Sequence, residues 1–373
     1  MAHLEGVRVL EFSHMVMGPT VGMILADLGA EVIKVEPSGG DKTRTLPGSG
    51  AGYFAMYNRN KRSVVLDLKS PEGMGAVREL LKRSDVMVEN FRGGALDKLG
   101  LGYEDVKAIN PGIVYQSCKG FLSGPYENRT ALDEVAQMMG GLAYMTGPSG
   151  RPLRAGASVI DVTGAMFGVI GILSALLARK DTGQGAEVRA SLFETTAFLV
   201  GQHIAQGAVT GTPAPPMPER ISAWAVYDVF NTADGHMFVG VVSDSQWKAL
   251  CGAFGLDDWA GDPDMADNRG RVTRREVIMP RLRGIFGALS TEALSARLEE
   301  VGLPFAPIRK PDDLLDDPQL AAGGLLEMDL PDGKRVRLPA LPLEIDGARL
   351  GLRASPPSVG ADTADVLAEL ERD

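Results

Sequence analysis

The sequence predicts an α/β protein: a large domain built on a parallel sheet with helices on both faces, plus a smaller α+β domain. Three observations carry that expectation. Short apolar runs alternate with stretches of helical spacing from Val7 to Ser117. A proline-rich segment, Thr210 to Arg220, interrupts the chain. Beyond it, two β-rich runs flank an Asp234–Gly235 turn, the pattern of a hairpin.

Taken in order, Val7 to Glu11 reads as a strand, Ser13 to Pro19 as a loop and Thr20 to Leu28 as a helix stopped by Gly29; Val32 to Val35 is the next strand. A second unit follows: strand Val64 to Leu68, helix Pro71 to Lys82 and strand Val86 to Val88. Pro71 suits a first helical turn, where a missing N–H costs nothing. Ile113 to Ser117 is another buried strand. This succession implies a Rossmann-like parallel sheet. Ala131 to Val200 reads as mostly helical, with Glu187 to Arg189 leading into a helix.

Val162 to Ala178 has no charge, yet it is short for a membrane span. Gly164, Gly168 and Gly171 share one helical face and would admit a neighbouring backbone, so a buried central helix is expected. After the hairpin (Ala223 to Asn231, Met237 to Val242), helices are expected at Gln246–Phe254, Arg275–Ala288 and Thr291–Val301. A strand and loop follow at Arg335–Pro342, and a last helix at Ser358–Leu370. The domains then divide as 1–205 (first part of the large domain), 206–222 (linker), 223–310 (small α+β domain) and 311–373 (return linker and the rest of the large domain).

Composition narrows the function. The 373 residues are 45% hydrophobic and 23% charged, a globular balance, and the net charge of −10 argues against a nucleic-acid partner. Two cysteines and four scattered histidines make no disulfide framework and no metal spacing. With no signal-peptide pattern at the start, a cytoplasmic protein without a bound metal is expected. Glu36 ends the first βαβ unit where a dinucleotide fold places its ribose acid, but the preceding loop, HMVMGPTVG, lacks the glycines of a pyrophosphate cradle. Glu36 then reads as an acid at a strand end in solvent.

Asp161 immediately precedes the apolar helix, which suggests an N-cap. The same position suits a nucleophile: the helix dipole would keep the carboxylate ionised, and a carboxylate attacking an acyl carbon forms an anhydride that stays reactive. Position alone does not separate capping from catalysis.

Several stretches settle that choice by resemblance. GPTVGMILADLGAEVIKVEP, NRNKRSVVLDLKSPEG, VENFRGGALDKLGLGYEDV, QSCKGFLSGPY, ALDEVAQMMGGLAYMTG, IDVTGAMFGVIGILSALLARKDTGQG and FAPIRKPDDLLDDPQL run in order from Gly18 to Leu320. Together they resemble the family III CoA-transferases, a group that includes formyl-CoA transferase, carnitine CoA-transferase and the divergent α-methylacyl-CoA racemases. The resemblance implies an enzyme that moves CoA from an acyl-CoA to a carboxylic acid, with Asp161 as catalytic aspartate and Asp133 as an acid that orients Asp161 or the substrate. It implies CoA contacts at Asn90, Phe91, Arg92 and Lys98, and an adenosine-lining stretch with Leu66 and Lys69.

Val16 and Met17 fall where formyl-CoA transferase has an active-site glutamine and its neighbour, a departure that speaks against a formate or oxalate preference. No permanently bound cofactor is implied, coenzyme A and acyl-CoA being substrates. The resemblance further implies an interlocked homodimer, with the site between the large domain of one chain and the small domain of the other. Family habit suggests a short dicarboxylate acceptor and succinyl-CoA as donor, with Arg154 a candidate anchor for a second carboxylate. Arg and Lys suit the CoA phosphates through charge-assisted hydrogen bonds. The run Arg59–Asn60–Lys61–Arg62 would add positive field or form a solvated turn.

Two alternatives stand beside transfer. A racemase needs an acid/base group on each face of the α-carbon, and its histidine position is Leu132 here. A non-catalytic acyl-CoA binding protein would need no carboxylate at Asp161.

Overall fold

The computed structural model describes residues 3–220 and 222–372. The chain forms two compact units: Met1–Glu219 together with Pro318–Asp373, and Arg220–Asp317 between them in sequence.

The large unit is organised by six parallel strands: β1 (Arg8–Phe12), β2 (Glu31–Glu36), β3 (Lys61–Val65), β4 (Val86–Glu89), β5 (Val114–Lys119) and β6 (Ala186–Ser191). Their order is β3-β2-β1-β4-β5-β6, with Val9 beside both Val32 and Val86. The order reverses between β1 and β4, which opens a crevice at the carboxyl ends of those two strands. Helix α1 (Met17–Asp27) lies under that crevice and is buried on every side. It begins earlier than expected, because Pro19 sits in the first turn, where no intrahelical N–H partner is required. Helix α2 (Pro71–Lys82) has the expected bounds, with Ser70 Oγ accepting from Gly73 N at 3.0 Å.

Two strands differ from expectation. β3 begins at Lys61 and stops at Val65, since the side chains of Lys61 and Ser63 turn inward to buried carboxylates. Residues 186–191, read as the approach to a helix, form the edge strand β6, whose charged Glu187 and Arg189 mask its strand character.

Helices α3 (Asp133–Met139) and α4 (Val159–Thr182) bring the chain to β6, and α5 (Leu192–Leu199) and α6 (Gly201–Thr210) follow it. The start of the 206–222 linker is therefore helical, and only the prolines past Gly211 leave the chain extended. Among the described residues α4 alone is long and apolar enough to cross a membrane. It is only partly buried within this fold. Its glycine face lies on the sheet, but side chains rather than backbone fill the space: a Cβ on Gly164, Gly168 or Gly171 would meet Met17, Gln116 or Val188 at 2.5–2.9 Å. The opposite face, with Met166, Ile170, Leu173 and Leu177, is exposed.

The second unit carries a three-stranded antiparallel sheet of β7 (Val226–Asn231), β8 (His236–Val241) and β9 (Phe305–Pro307). Helices α7 (Asp244–Phe254), α8 (Arg275–Gly287) and α9 (Thr291–Glu300) cover it around Phe230, Trp247 and Phe286. The chain then returns to the large unit and ends in α10 (Thr363–Glu371). This last segment satisfies the outer edge of β3: Ser63 N donates to Asp362 Oδ2 (2.8 Å), Val65 N to Thr363 Oγ1 (3.0 Å), and Arg62 pairs with Glu369 (2.8 Å).

Candidate active site

The loop after β1 and the loop after β4 meet at the crevice. Asn90 grips the main chain of His14 from both directions: His14 N donates to Asn90 Oδ1 (3.0 Å), and Asn90 Nδ2 donates to the His14 carbonyl (2.6 Å). The His14 and Phe91 rings lie 5.7 Å apart. Gly18 permits this junction, since a Cβ there would sit 2.5 Å from Ser13 Cβ and 3.1 Å from Asn90. Met15 between these anchors adopts φ +66°, a conformation that non-glycine residues rarely accept.

Asp161 occupies the first turn of α4, not the cap; Ser158 is the residue at the cap position. The capping oxygen comes from elsewhere. Asp133 Oδ2 accepts from Ile160 N (2.9 Å) and Asp161 N (3.1 Å), while its Oδ1 accepts from Gln137 Nε2 (2.5 Å). Asp133 thus replaces the missing intrahelical partners of two first-turn donors. Val162 N is also taken, by the Ser158 carbonyl at 3.1 Å.

The electrostatics differ from the dipole expectation. Burial, then the charges of Asp133 and Glu134, push the Asp161 carboxyl up to about 7, against a smaller opposing pull from Arg154. Desolvation and like charge here outweigh the helix terminus. Arg154 is held by the Ala155 and Ala157 carbonyls (both 3.1 Å) and pairs with Glu134, and its Nη2 lies 3.7 Å from Asp133 Oδ1. The Tyr57 hydroxyl is raised by burial first and next by the charge of Asp161, so it keeps its proton at neutral pH. Burial also pushes the Cys118 thiol up, which leaves it unreactive.

The other residues named from sequence divide by exposure. Arg92, Lys98 and Lys69 are exposed, and Arg92 and Lys98 pair with no carboxylate among the described residues. Phe91 is partly exposed beside His14 rather than in the core. Val16, Met17 and Leu66 are buried, so their side chains line no open surface. What the β1–α1 loop shows to solvent is His14 and Met15. Leu132 is exposed next to Asp133 and offers no proton-exchanging group.

Glu36 is not in solvent: Arg44 binds it at 2.8 and 2.5 Å, Ser63 Oγ at 2.6 Å and Asp41 N at 2.7 Å. In the 59–62 run, Arg59 is buried on Asp27 (2.7 Å) and Lys61 on Glu11 (2.8 Å), so neither is a solvated cation or a field source for a nucleotide. Sequence reasoning missed Tyr57 and the Gln137 link to Asp133. ALDEVAQ places Asp133 and Gln137 one turn apart, a spacing that could have flagged the link.

Comparison with known proteins identifies the family. Residues 4–363 match the family described as CoA-transferase family III. The succinate–glutarate CoA-transferase of Agrobacterium fabrum is 33% identical over 99% of this chain and 96% of its own. The acetyl-CoA:oxalate CoA-transferase of Acetobacter aceti is 35% identical over 92% of this chain and 89% of its own. Among solved structures, a CAIB/BAIF family protein from Brucella suis superposes with a TM-score of 0.86 at 34% identity, over 98% of this chain and 99% of that one. The chain belongs to CoA-transferase family III, and is an enzyme that transfers CoA between acyl-CoA and carboxylic acids.

Proposed function

We propose that this enzyme moves CoA from a donor such as succinyl-CoA to a short dicarboxylate, through covalent intermediates on Asp161. The observation that carries the reading is a half-buried carboxyl whose own backbone N–H is fixed by Asp133. The relatives named above act on dicarboxylates, which supports the substrate class.

In the first step the Asp161 carboxylate attacks the thioester carbonyl; the C–S bond breaks and CoA leaves as thiolate, giving an aspartyl–acyl anhydride. The thiolate then attacks the aspartyl carbonyl and expels the donor acid, giving an aspartyl-CoA thioester. The acceptor carboxylate runs the two steps in reverse, so Asp161 is regenerated. The first-turn N–H groups of Ile160, Asp161 and Val162 are already bonded and do not stabilise the developing oxyanion. That task falls to the Tyr57 hydroxyl and the Arg154 guanidinium, both in the electrostatic field of Asp161. Asn90, Phe91, Arg92 and Lys98 hold CoA at the crevice.

Incubation with a panel of acyl-CoAs, followed by hydroxylamine and peptide mapping, should place a hydroxamate on Asp161 with at least one donor. An unmodified Asp161 across the panel, with CoA still bound, overturns the covalent reading and favours a binding protein.

The enzyme works as a homodimer. The exposed positions 166, 170, 173 and 177 form one apolar stripe on α4, and Phe198 (71% exposed) extends it by an edge-on contact with Phe167 at 5.4 Å. A second copy covers this face. Light scattering should give twice the chain mass, and Leu177→Glu should shift it toward one. A wild-type monomer at micromolar concentration overturns the assignment.

A further inference from the structure

Beneath the crevice the β1–α1 loop is fastened to a cluster of buried charges. Glu11, Lys34 and Lys61 stand on the adjacent strands β1, β2 and β3, and their side chains have no exposure. Lys34 Nζ meets Glu11 Oε1 (3.3 Å), Asp41 Oδ2 (3.0 Å) and the Ser13 carbonyl (2.6 Å). Lys61 Nζ meets Glu11 Oε2 (2.8 Å), the Pro19 carbonyl (2.9 Å) and Asn58 Oδ1 (3.1 Å). Each lysine thus makes two hydrogen bonds and one further close ion pair, Lys34 with Asp41 and Lys61 with Glu11.

One partner of each lysine is a main-chain carbonyl, and the two carbonyls are the two ends of the segment 13–19. Ser13 Oγ also donates to Glu11 Oε1 at 2.8 Å. The lack of a side chain at Gly22 is what admits the carboxylate: a Cβ there would lie 1.8 Å from Glu11 Oε2.

A buried ionic cluster is rarely the most stable way to fill a core, because three desolvated charges must be repaid by their mutual attraction. Its placement here gives it another use. Between the two anchored carbonyls lie His14, held by Asn90, and Met17, whose methyl group packs on Gly164. Gly164 is one turn from Asp161 on the same face of α4. A shift of the segment therefore moves the wall beside the nucleophile.

We propose that Glu11, Lys34 and Lys61 form a positioning unit that fixes the 13–19 segment, and through Met17 the surroundings of Asp161, for CoA transfer. The inference rests on the transferase reading above.

The charged groups that face Lys61 are Glu11 from β1, Lys34 from β2 and Asp41 from the loop after β2; the Asp27–Arg59 pair lies beyond its neighbour Asn60. Burial, with Lys34 assisting and Glu11 and Asp41 opposing, lowers Lys61 to about 8. Deprotonation removes one donor and the attraction to Glu11, so the segment loosens above that pH. Stability moves the other way. The folded state holds this proton less tightly than the unfolded chain, so the Lys61 contribution to stability rises from pH 8 toward 10.5. A purely structural role would have activity follow stability instead.

The test measures kcat, KM for acyl-CoA and thermal midpoint of the full-length enzyme from pH 7 to 10, for wild type, Glu11→Gln and Asn58→Asp. Wild type should lose kcat on an alkaline limb near pH 8 with no matching fall in midpoint. Glu11→Gln should lower kcat by about tenfold or more at pH 7.5, with KM within about twofold, as expected for a misplaced catalytic neighbour. Asn58→Asp sets a carboxylate against Lys61 and should move the limb up by about one pH unit. A folded Glu11→Gln with wild-type kcat, or an unmoved limb in Asn58→Asp, overturns the proposal; should Glu11→Gln not fold, Asn58→Asp decides alone. Hydroxamate labelling of wild-type Asp161 separates the two readings, because an unlabelled Asp161 sinks covalent transfer whereas a labelled one with an unmoved limb sinks only the positioning unit.

Discussion

Asp161→Asn should lower kcat by about 10⁴-fold or more while acyl-CoA still binds, because the amide cannot form the anhydride. The same variant should be more stable than wild type at pH 8. The folded carboxyl titrates near 7, against 3.8 ordinarily, so between those values the folded state binds more protons than the unfolded one. Stability from this group is fully present below pH 3.8 and is lost as pH rises through 7. Three pKa units correspond to up to about 4 kcal/mol, which the uncharged amide recovers. Denaturant titration at pH 5 and pH 8 checks this: the gain should appear mainly at pH 8. Equal midpoints at pH 8, or retained turnover, would count against a destabilised nucleophile at this position.

Asp133 makes the second large prediction, because it performs two tasks that two substitutions separate. Asp133→Ala removes the acceptor from two first-turn N–H groups and should cost about 2–4 kcal/mol. Asp133→Asn keeps an oxygen for those donors and removes only the charge. Since that charge is the second-largest cause raising Asp161, its loss should lower the Asp161 pKa. In wild type, kcat/KM should rise through about pH 7 as Asp161 ionises. In Asp133→Asn that limb should move to lower pH, with stability at pH 7 changed by less than in Asp133→Ala. An acid limb at the same pH in both enzymes would show that Asp133 acts only as a cap.

Much of the large unit was legible because its strands are apolar runs separated by clear helix signals, and α2 appeared at its full length from Ser70 and Pro71. What escaped is polar. β3 starts with Lys61, a residue that speaks against a buried strand unless its carboxylate partner is known, and that partner is Glu11, fifty residues earlier. β6 was hidden by Glu187 and Arg189. Asp161 stood out through the resemblance, but its environment could not, because its raised pKa depends on Asp133, Glu134 and Arg154 arriving from separate segments. Glu36 was misjudged for the same reason: Arg44 and Ser63, which enclose it, meet only in the fold.

The closure of the β3 edge by α10 has a consequence for how the chain is made. Every outer contact described for β3 is with residues 362–369, so during synthesis this edge waits until those residues emerge. The inserted unit, whose cluster around Phe230 and Phe286 draws only on its own residues, is released first and can reach its final form while that edge is still open. An unpaired strand edge invites pairing with other chains. The hazard for newly made protein is therefore greatest over the interval between release of the inserted unit and emergence of residues 362–369, and ribosomes stalled just before residue 362 would hold it in its most aggregation-prone form.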